Sequence, residues 1–308
     1  MYYFIINPAS SSGRGITVWK TIEAELKRLK IDYRAFILSR PGEAKQLVSG
    51  FAKSPVPITV VAVGGDGTIN DCVSGFTSFH NITFACIPTG SGNDFVRGLE
   101  LNTSALDALH AVLNPKEQRM INIGRTTIFV NDKEKVFSYA VSSGLGYDAA
   151  VCDSIQHSYL KKMLNLFRCG KVVYLLTALW QLITMKRNTM EAVIDGKPYT
   201  FDGTYFAAAM NLRYEGGGFK FCPDALPDDD HIDLLLVDRI SRFEALLLLP
   251  KAFTGKHVGK KGINIFRCKK AELKYPHPIC LHTDGEVCGY YDSVVFELRD
   301  EKLNVIIR

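Results

Sequence analysis

The chain lacks both glycine signatures that most often hold a nucleotide. No Gly-x-x-x-x-Gly-Lys-Ser/Thr run occurs, which excludes a P-loop, and no Gly-x-Gly-x-x-Gly follows a strand-like run, which excludes the dinucleotide fingerprint. Cys-x-x-Cys is also missing. Eight cysteines are scattered singly, and Cys72, Cys86, Cys222 and Cys280 sit in apolar patterns. They read as small buried hydrophobes in a reducing cytosol, not as zinc ligands or disulfides. The histidines (His80, His110, His157, His231, His257, His277 and His282) show no metal-ligand spacing, so each reads as a satisfied or surface side chain. Met1 leads straight into the strand-like Tyr2–Ile6, with no pattern of a secretory leader. No apolar run reaches the roughly 20 residues of a spanning helix. The 14 uncharged residues Val172–Met185, between Lys171 and Lys186-Arg187, read as a helix packed on a domain, with an interfacial helix as the sharper alternative.

What is present is ordinary globular material: 308 residues, 47% hydrophobic and 22% charged, long enough for two cores. The net charge of +5 is unevenly placed. Residues 241–280 carry nine Lys/Arg against Glu244 and Glu272, and residues 157–187 carry six and no acid. Aromatic-basic interleaving and a recognition-helix pattern are missing, which argues against nucleic acid. An anionic membrane surface suits such a face better, each nearby Lys/Arg adding about 1 kcal/mol.

Up to about residue 120 the pattern alternates strand and helix: Tyr2–Ile6, a helix over Gly15–Leu29, Tyr33–Leu38, a helix over Gly42–Ala52, then strands Ile58–Val63 and Ile82–Ile87, with a helical turn at Asp107–Leu113. That order predicts an α/β domain with a doubly wound parallel sheet. From residue 121 to about 294, short strands (Asn122–Ile128, Phe137–Ser142, Met190–Ile194, Tyr199–Phe201, Thr204–Met210, Ile232–Val237, Glu272–Tyr275, Ile279–Thr283) separated by turns predict a mainly antiparallel β-sandwich.

Two of the first domain's strands empty into unusual loops, Gly64-Gly-Asp-Gly-Thr-Ile-Asn70 and Pro88-Thr-Gly-Ser-Gly-Asn-Asp94. A buried parallel strand presents main-chain N–H groups at its carboxyl edge, where open α/β sheets bind ligands, and glycine lets a phosphate come close. Two neighbouring loops, each with an aspartate, make a site for a polyphosphate and its metal. A helix-capping role is the plainer reading of Asp66, and a plain N-cap that of Asn93 and Asp94; the glycines on both sides of Asp66 favour the functional one.

With Ile6-Asn-Pro-Ala-Ser-Ser11, Gly216-Gly-Gly-Phe-Lys-Phe-Cys-Pro-Asp-Ala225 and Asp284-Gly-Glu286, these loops form five motifs in fixed order over nearly the whole chain. In that set the chain resembles the diacylglycerol kinase-like lipid kinases, a family that includes bacterial lipid kinases, sphingosine kinases and ceramide kinases. The first loop is more distantly similar to that of NAD kinases and phosphofructokinases. The resemblance implies ATP and Mg²⁺ as cofactors, a lipid acceptor met at a membrane surface, a cytoplasmic, peripherally associated protein and pairing of two copies. It also implies that the C-terminal segment, about residues 295–308, packs back on the first domain. Nucleotide contacts are implied for Asn7, Pro8, Ala9, Ser10, Ser11, Ser39, Gly64, Gly65, Asp66, Gly67, Thr68, Ile69, Asn70 and Ser91. Asp66 and Asp94 are implied as carboxylates of the metal network, and Glu286 as the base that takes the acceptor's hydroxyl proton. A structural Mg²⁺ is implied on Asp229 with the carbonyls of Leu226 and His231.

Two positions depart from the family pattern. Asp230 stands where relatives carry glycine, and Asn122 where many carry an aspartate of the metal network. They keep a non-catalytic nucleotide-binding regulator open as a rival. A soluble-substrate kinase of the NAD kinase type is the other, although Gly90-Ser-Gly-Asn-Asp94 follows the lipid kinase pattern and not Gly-Ser-Thr-Ala.

Overall fold

A computed structural model describes residues 1–90, 93–101, 104–157 and 170–308. In the first domain the elements are β1 (Tyr2–Ile6), α1 (Ser10–Arg28), β2 (Tyr33–Ile37), α2 (Glu43–Val48), β3 (Ile58–Gly64), α3 (Asp66–Gly75), β4 (Ile82–Pro88), α4 (Asp94–Gly98), α5 (Ala105–Leu113) and β5 (Gln118–Ile121). The second contributes β6 (Gly124–Val130), β7 (Lys133–Tyr139), β8 (Ser142–Gly146), α6 (Tyr147–His157), α7 (Gly170–Thr184), β9 (Asn188–Ile194), β10 (Lys197–Thr204), β11 (Phe206–Met210), β12 (Ile232–Val237), α8 (Arg242–Ala252), β13 (Ile263–Cys268), β14 (Lys270–Thr283) and β15 (Glu286–Leu298). The last strand, β16 (Leu303–Ile306), returns to the first domain.

The first sheet has the order β2-β1-β3-β4-β16-β5. β3 and β4 are apolar and buried along nearly their whole lengths, as strands covered on both faces must be. One core packs α2, α3 and α4 on one face, and a second packs α1 and α5 on the other. The parallel register brings the ends of β1, β2, β3 and β4 to one edge.

The second domain is a ten-stranded antiparallel sheet, β13-β12-β11-β8-β14-β15-β6-β7, with β9 and β10 branching from β14. The first part of β14 pairs with β9 and its last residues with β8, across a register shift between Lys274 and Ile279. One long strand thus serves two layers around a shared core.

Local differences from the sequence expectations have identifiable causes. The first helix starts at Ser10 but breaks at Ser11–Gly13, which take φ of 50, 58 and 89°. The expected Gly42–Ala52 helix is α2 followed by a separate 3₁₀ turn at Phe51–Lys53. Two helices, α6 and α8, stand where only strands and turns were expected. α8 has a capping box, Ser241 and Glu244, that was legible before its apolar run. β15 stays in the second sheet as far as Leu298, so the returning segment is β16 and its approach.

Polar contacts hold the segments at the domain junction. The Asn211 amide donates to the carbonyls of Asn122 and Ala140, at 2.8 and 2.9 Å. Arg299 donates to the carbonyls of Phe76 and Thr77 and lies 4.3 Å over the Phe79 ring. No helix among the described residues is long and apolar enough to cross a membrane.

Replacing Asn211 by leucine leaves two buried carbonyls without their donor. The expected loss is about 1–3 kcal/mol of unfolding free energy, read from urea denaturation.

Candidate active site

The exit loops of β1, β3 and β4 are bound to one another at the sheet edge. Asn7, just after β1, donates its side-chain N–H to Thr68 Oγ1 (3.1 Å), and its Oδ1 accepts from the Ala9 amide (3.1 Å). The Ser10 hydroxyl donates to the Asn7 carbonyl and accepts from Thr89, which follows β4. Ser11 Oγ lies where a Cβ on Gly90 would fall. Ala9 and Ser11 are exposed, and Pro8 is half-buried beside them. Ser39 follows β2 at the same edge, its amide and hydroxyl donating to Glu43. Ser91 lies outside the described residues.

Within the glycine loop the side chains divide. Gly65, Asp66 and Gly67 are partly open, whereas Thr68, Ile69 and Asn70 are buried in α3. The Ile69 side chain packs in the core, so only its main chain remains for a nucleotide. Asn70 directs its amide at Asp284, a partner that sequence reading did not supply.

Asp66 turns out to cap a helix other than its own. Its carboxylate accepts the amides of Asp94 and Phe95 (3.1 and 3.2 Å), joining the two loops at the start of α4. Asp94 accepts the Gly217 amide (2.7 Å) and pairs with Arg97 (3.2 Å), so the Gly216–Gly218 loop of the second domain is fastened to it. Burial, and then the negative charge of Asp94, push Asp66 up to about 7. Burial pushes Asp94 up to about 6 against the opposing Gly217 bond and Arg97. Crowded carboxylates of this kind suit a divalent cation, which stabilises the deprotonated forms.

The second domain reaches this loop through a two-residue hairpin. Thr283 pairs with Glu286 across Asp284 and Gly285, whose φ values of 49 and 83° fit the Asp-Gly preference of a type I′ turn. Asp284 is the anchor: it accepts the amides of Ala140, Val141 and Ser142 and the Asn70 side chain, all within 2.8–3.0 Å. Glu286 is exposed at the start of β15, and its Oε1 would lie 3.1 Å from a Cβ on Gly67. Any residue larger than glycine at 67 would crowd that carboxylate.

Behind the turn lies a buried trio that spacing did not reveal, Asp148, Glu215 and His282. His282 Nε2 is 3.0 Å from Asp148 and 3.3 Å from Glu215, while Nδ1 accepts the Gly285 amide at 3.1 Å. Burial alone would lower the ring's proton affinity; Asp148 and then Glu215 overcome it and raise it. With Nδ1 accepting the Gly285 N–H, the ring's Nε2 proton is the one directed at Asp148 and Glu215. A metal on Nε2 would leave both ring nitrogens without protons, so this trio is a hydrogen-bonded brace for the Asp284–Glu286 turn.

Around the implied structural metal position the chain's own cations stand close to the acidic residues. The Arg267 guanidinium lies 2.9 Å from Asp229 Oδ2, and Asp229 Oδ1 accepts the His231 amide. Lys302 donates to the Asp228 carbonyl (3.0 Å) and pairs with Asp230 (2.7 Å), while Leu226 is exposed nearby. Asp230 takes a positive φ of 61°. The two departures from the family pattern are partners: Asn122 donates to Asp230 Oδ1 (3.0 Å) and accepts its amide (3.1 Å).

A glycine-rich loop at a parallel sheet edge thus faces a carboxylate from the second domain. Residues 1–125 match the family model of the diacylglycerol kinase catalytic domain, and residues 140–307 that of the YegS C-terminal NAD kinase beta sandwich-like domain. The chain belongs to the diacylglycerol kinase-like lipid kinase family. It is 29% identical over 293 residues to Bacillus subtilis (strain 168) YtlR, whose name proposes a lipid kinase, covering 94% of each chain. It is also 29% identical to the diacylglycerol kinase of the same strain, covering 75% of this chain and 71% of that one. A Bacillus anthracis diacylglycerol kinase crystal structure superposes with a TM-score of 0.70 at 19% identity, covering 100% of this chain and 96% of that one. An Archaeoglobus fulgidus NAD kinase in complex with ATP gives 0.56 at 12%, covering 99% and 93%. At these identities both structures speak to the fold alone.

Asn122→Asp places two carboxylates at a 3.0 Å contact and lowers the thermal midpoint; adding Asp230→Gly recovers most of the loss, a coupling read by a double-mutant cycle. Affinity for magnesium–nucleotide rises as pH climbs through about 6 to about 7, where Asp94 and Asp66 shed their protons, measurable by calorimetry. Both folded pKa values lie above the ordinary 3.8, so without ligand these groups favour the fold at low pH. That contribution is lost as pH rises to about 7.

Proposed function

We propose that this protein transfers the γ-phosphoryl group of ATP to the hydroxyl of diacylglycerol or a lipid of that kind. The observation that carries the reading is the approach of Glu286, from the second domain, to Gly67 in the first domain's glycine loop. Phosphoryl transfer to an alcohol asks for little covalent help from protein. It needs the reactants positioned, the developing charge neutralised and the hydroxyl proton accepted. Each need has a group here. The partly open main chain of Gly65–Gly67 and the turn at Ala9–Ser11 would receive the triphosphate. Asp66 and Asp94 would hold Mg²⁺, which when bound neutralises phosphate charge. Glu286 takes the acceptor's proton, with the acceptor placed between the second domain's turn and the glycine loop.

Two further facts support the reading. The Asn122–Asp230 pair, with Lys302, gives both departures from the family pattern partners of their own. That weakens the motive for a non-catalytic regulator. Asp66 also caps α4, so the proper probe of its chemistry is Asp66→Asn, which keeps a capping oxygen, and not alanine.

Radiolabelled ATP incubated with a total lipid extract should yield a labelled phospholipid on thin-layer plates, and NAD in place of lipid should yield none; the reverse result would establish the soluble-substrate reading. Glu286→Gln should lose about 10²–10⁴-fold in turnover while ATP affinity is unchanged.

A further inference from the structure

α8 is apolar on two faces, and among the described residues only one has a partner. Ala245 and Ala252 are buried, and Leu248 and Leu249 pack against a core shared with Leu182 of α7. The opposite stripe, Phe243, Leu246, Leu247 and Pro250, follows the i, i+3, i+4, i+7 spacing of a helix face and is open to solvent. Phe243 is 69% exposed and Leu247 52%. α7 continues the feature: Leu182 is buried against α8, while Trp180 (65% exposed) and Ile183 (59%) point away from it. The helices are tied end to end. Arg242 donates to the Met185 carbonyl (3.3 Å) and Arg187 to the Ile240 carbonyl (2.9 Å). A soluble surface rarely leaves so many large side chains of two adjoining helices uncovered.

The surrounding charge selects the occupant. Lys186 and Arg187 follow α7; Arg242, Lys251, Lys256, Lys260 and Lys261 flank α8, and all seven are exposed. Glu244, the one carboxylate among residues 241–261, is spent on the capping box and Lys261. A second copy of the chain docked here about a two-fold axis would bring two basic rims together, which costs affinity. An anionic bilayer meets both demands: its acyl region takes the apolar stripes and its headgroups take the rim.

We infer that the outer faces of α7 and α8 dock the protein on anionic membranes by shallow insertion of Trp180, Ile183, Phe243, Leu246 and Leu247. This deepens the lipid kinase reading and rests on it only in expecting the acceptor to lie in the same bilayer.

The chain has two tryptophans, and Trp19 is buried in the first domain, so a membrane-dependent emission change reports Trp180. Without ATP, vesicles of phosphatidylcholine mixed with phosphatidylglycerol should shift the emission to the blue. Brominated acyl chains should quench it, and vesicles of phosphatidylcholine alone should do neither. Phe243→Ser with Leu247→Ser should weaken co-sedimentation by about tenfold or more, with an unchanged thermal midpoint and unchanged turnover of detergent-dispersed lipid. No emission change, or sedimentation indifferent to the double variant, overturns the inference. So does a dimer in analytical ultracentrifugation that the double variant dissolves, which would give the face to a second copy. Vesicle binding without turnover of any lipid would sustain the docking face and remove the kinase reading; turnover of dispersed lipid without vesicle binding would do the opposite.

Discussion

The carboxylate of Asp284 holds the two halves of this molecule in working relation. It collects three consecutive main-chain amides, those of Ala140, Val141 and Ser142, and the side-chain N–H of Asn70 from the helix after the glycine loop. Burial alone would push such a group toward its neutral form, and the four donors oppose that shift. One residue therefore sets the pitch of the hairpin that carries Glu286 and registers it against the loop bearing Gly67. His282 supports the same turn from behind through Gly285, with Asp148 fixing the ring's proton. The approach of Glu286 to Gly67 is thus held mostly by main-chain donors, which cannot swing away as side chains do.

A similar economy governs the loop at Asp228–Asp230. Asp230 by itself would be an isolated charge with a positive φ; here Lys302 neutralises it and Asn122 brackets it with one accepted and one donated hydrogen bond. An aspartate at 122 would repel it. The amide at one position and the acid at the other make sense only together, and the cations of Lys302 and Arg267 bind the loop from within the chain. β16 matters here as well, because Lys302 arrives with the returning C-terminal strand and so ties the loop to the first sheet.

Much of the fold was legible because parallel and antiparallel sheets leave different marks. Val60–Val63 and Phe84–Ile87 are apolar without alternation, as strands covered on both faces are, and the later strands are short and separated by turns. The helices α6 and α8 left weaker marks: α6 lacks a sharp apolar period, and α8, apolar on both faces, offers only its capping box. In the candidate site, the glycines, Asp66, Asp94 and Glu286 stood out in the sequence because they lie in contiguous motifs. Asp148 and Glu215 did not, since single acids far apart in the chain have no spacing to betray that β8, β14 and the Gly216–Gly218 loop bring them to one histidine.

The order of residues alone determined the class of fold, the two glycine loops and the types of group available for phosphoryl transfer, because those properties are local: backbone freedom, hydrophobic period and side-chain chemistry act within a few residues. Tertiary structure alone decided which of those groups meet. Asp66 caps a helix 28 residues away, Asn70 reaches Asp284 across 214, and Asn122 finds Asp230 across 108. Such pairings depend on strand order and on the angle between two domains, and packing of the whole chain sets both.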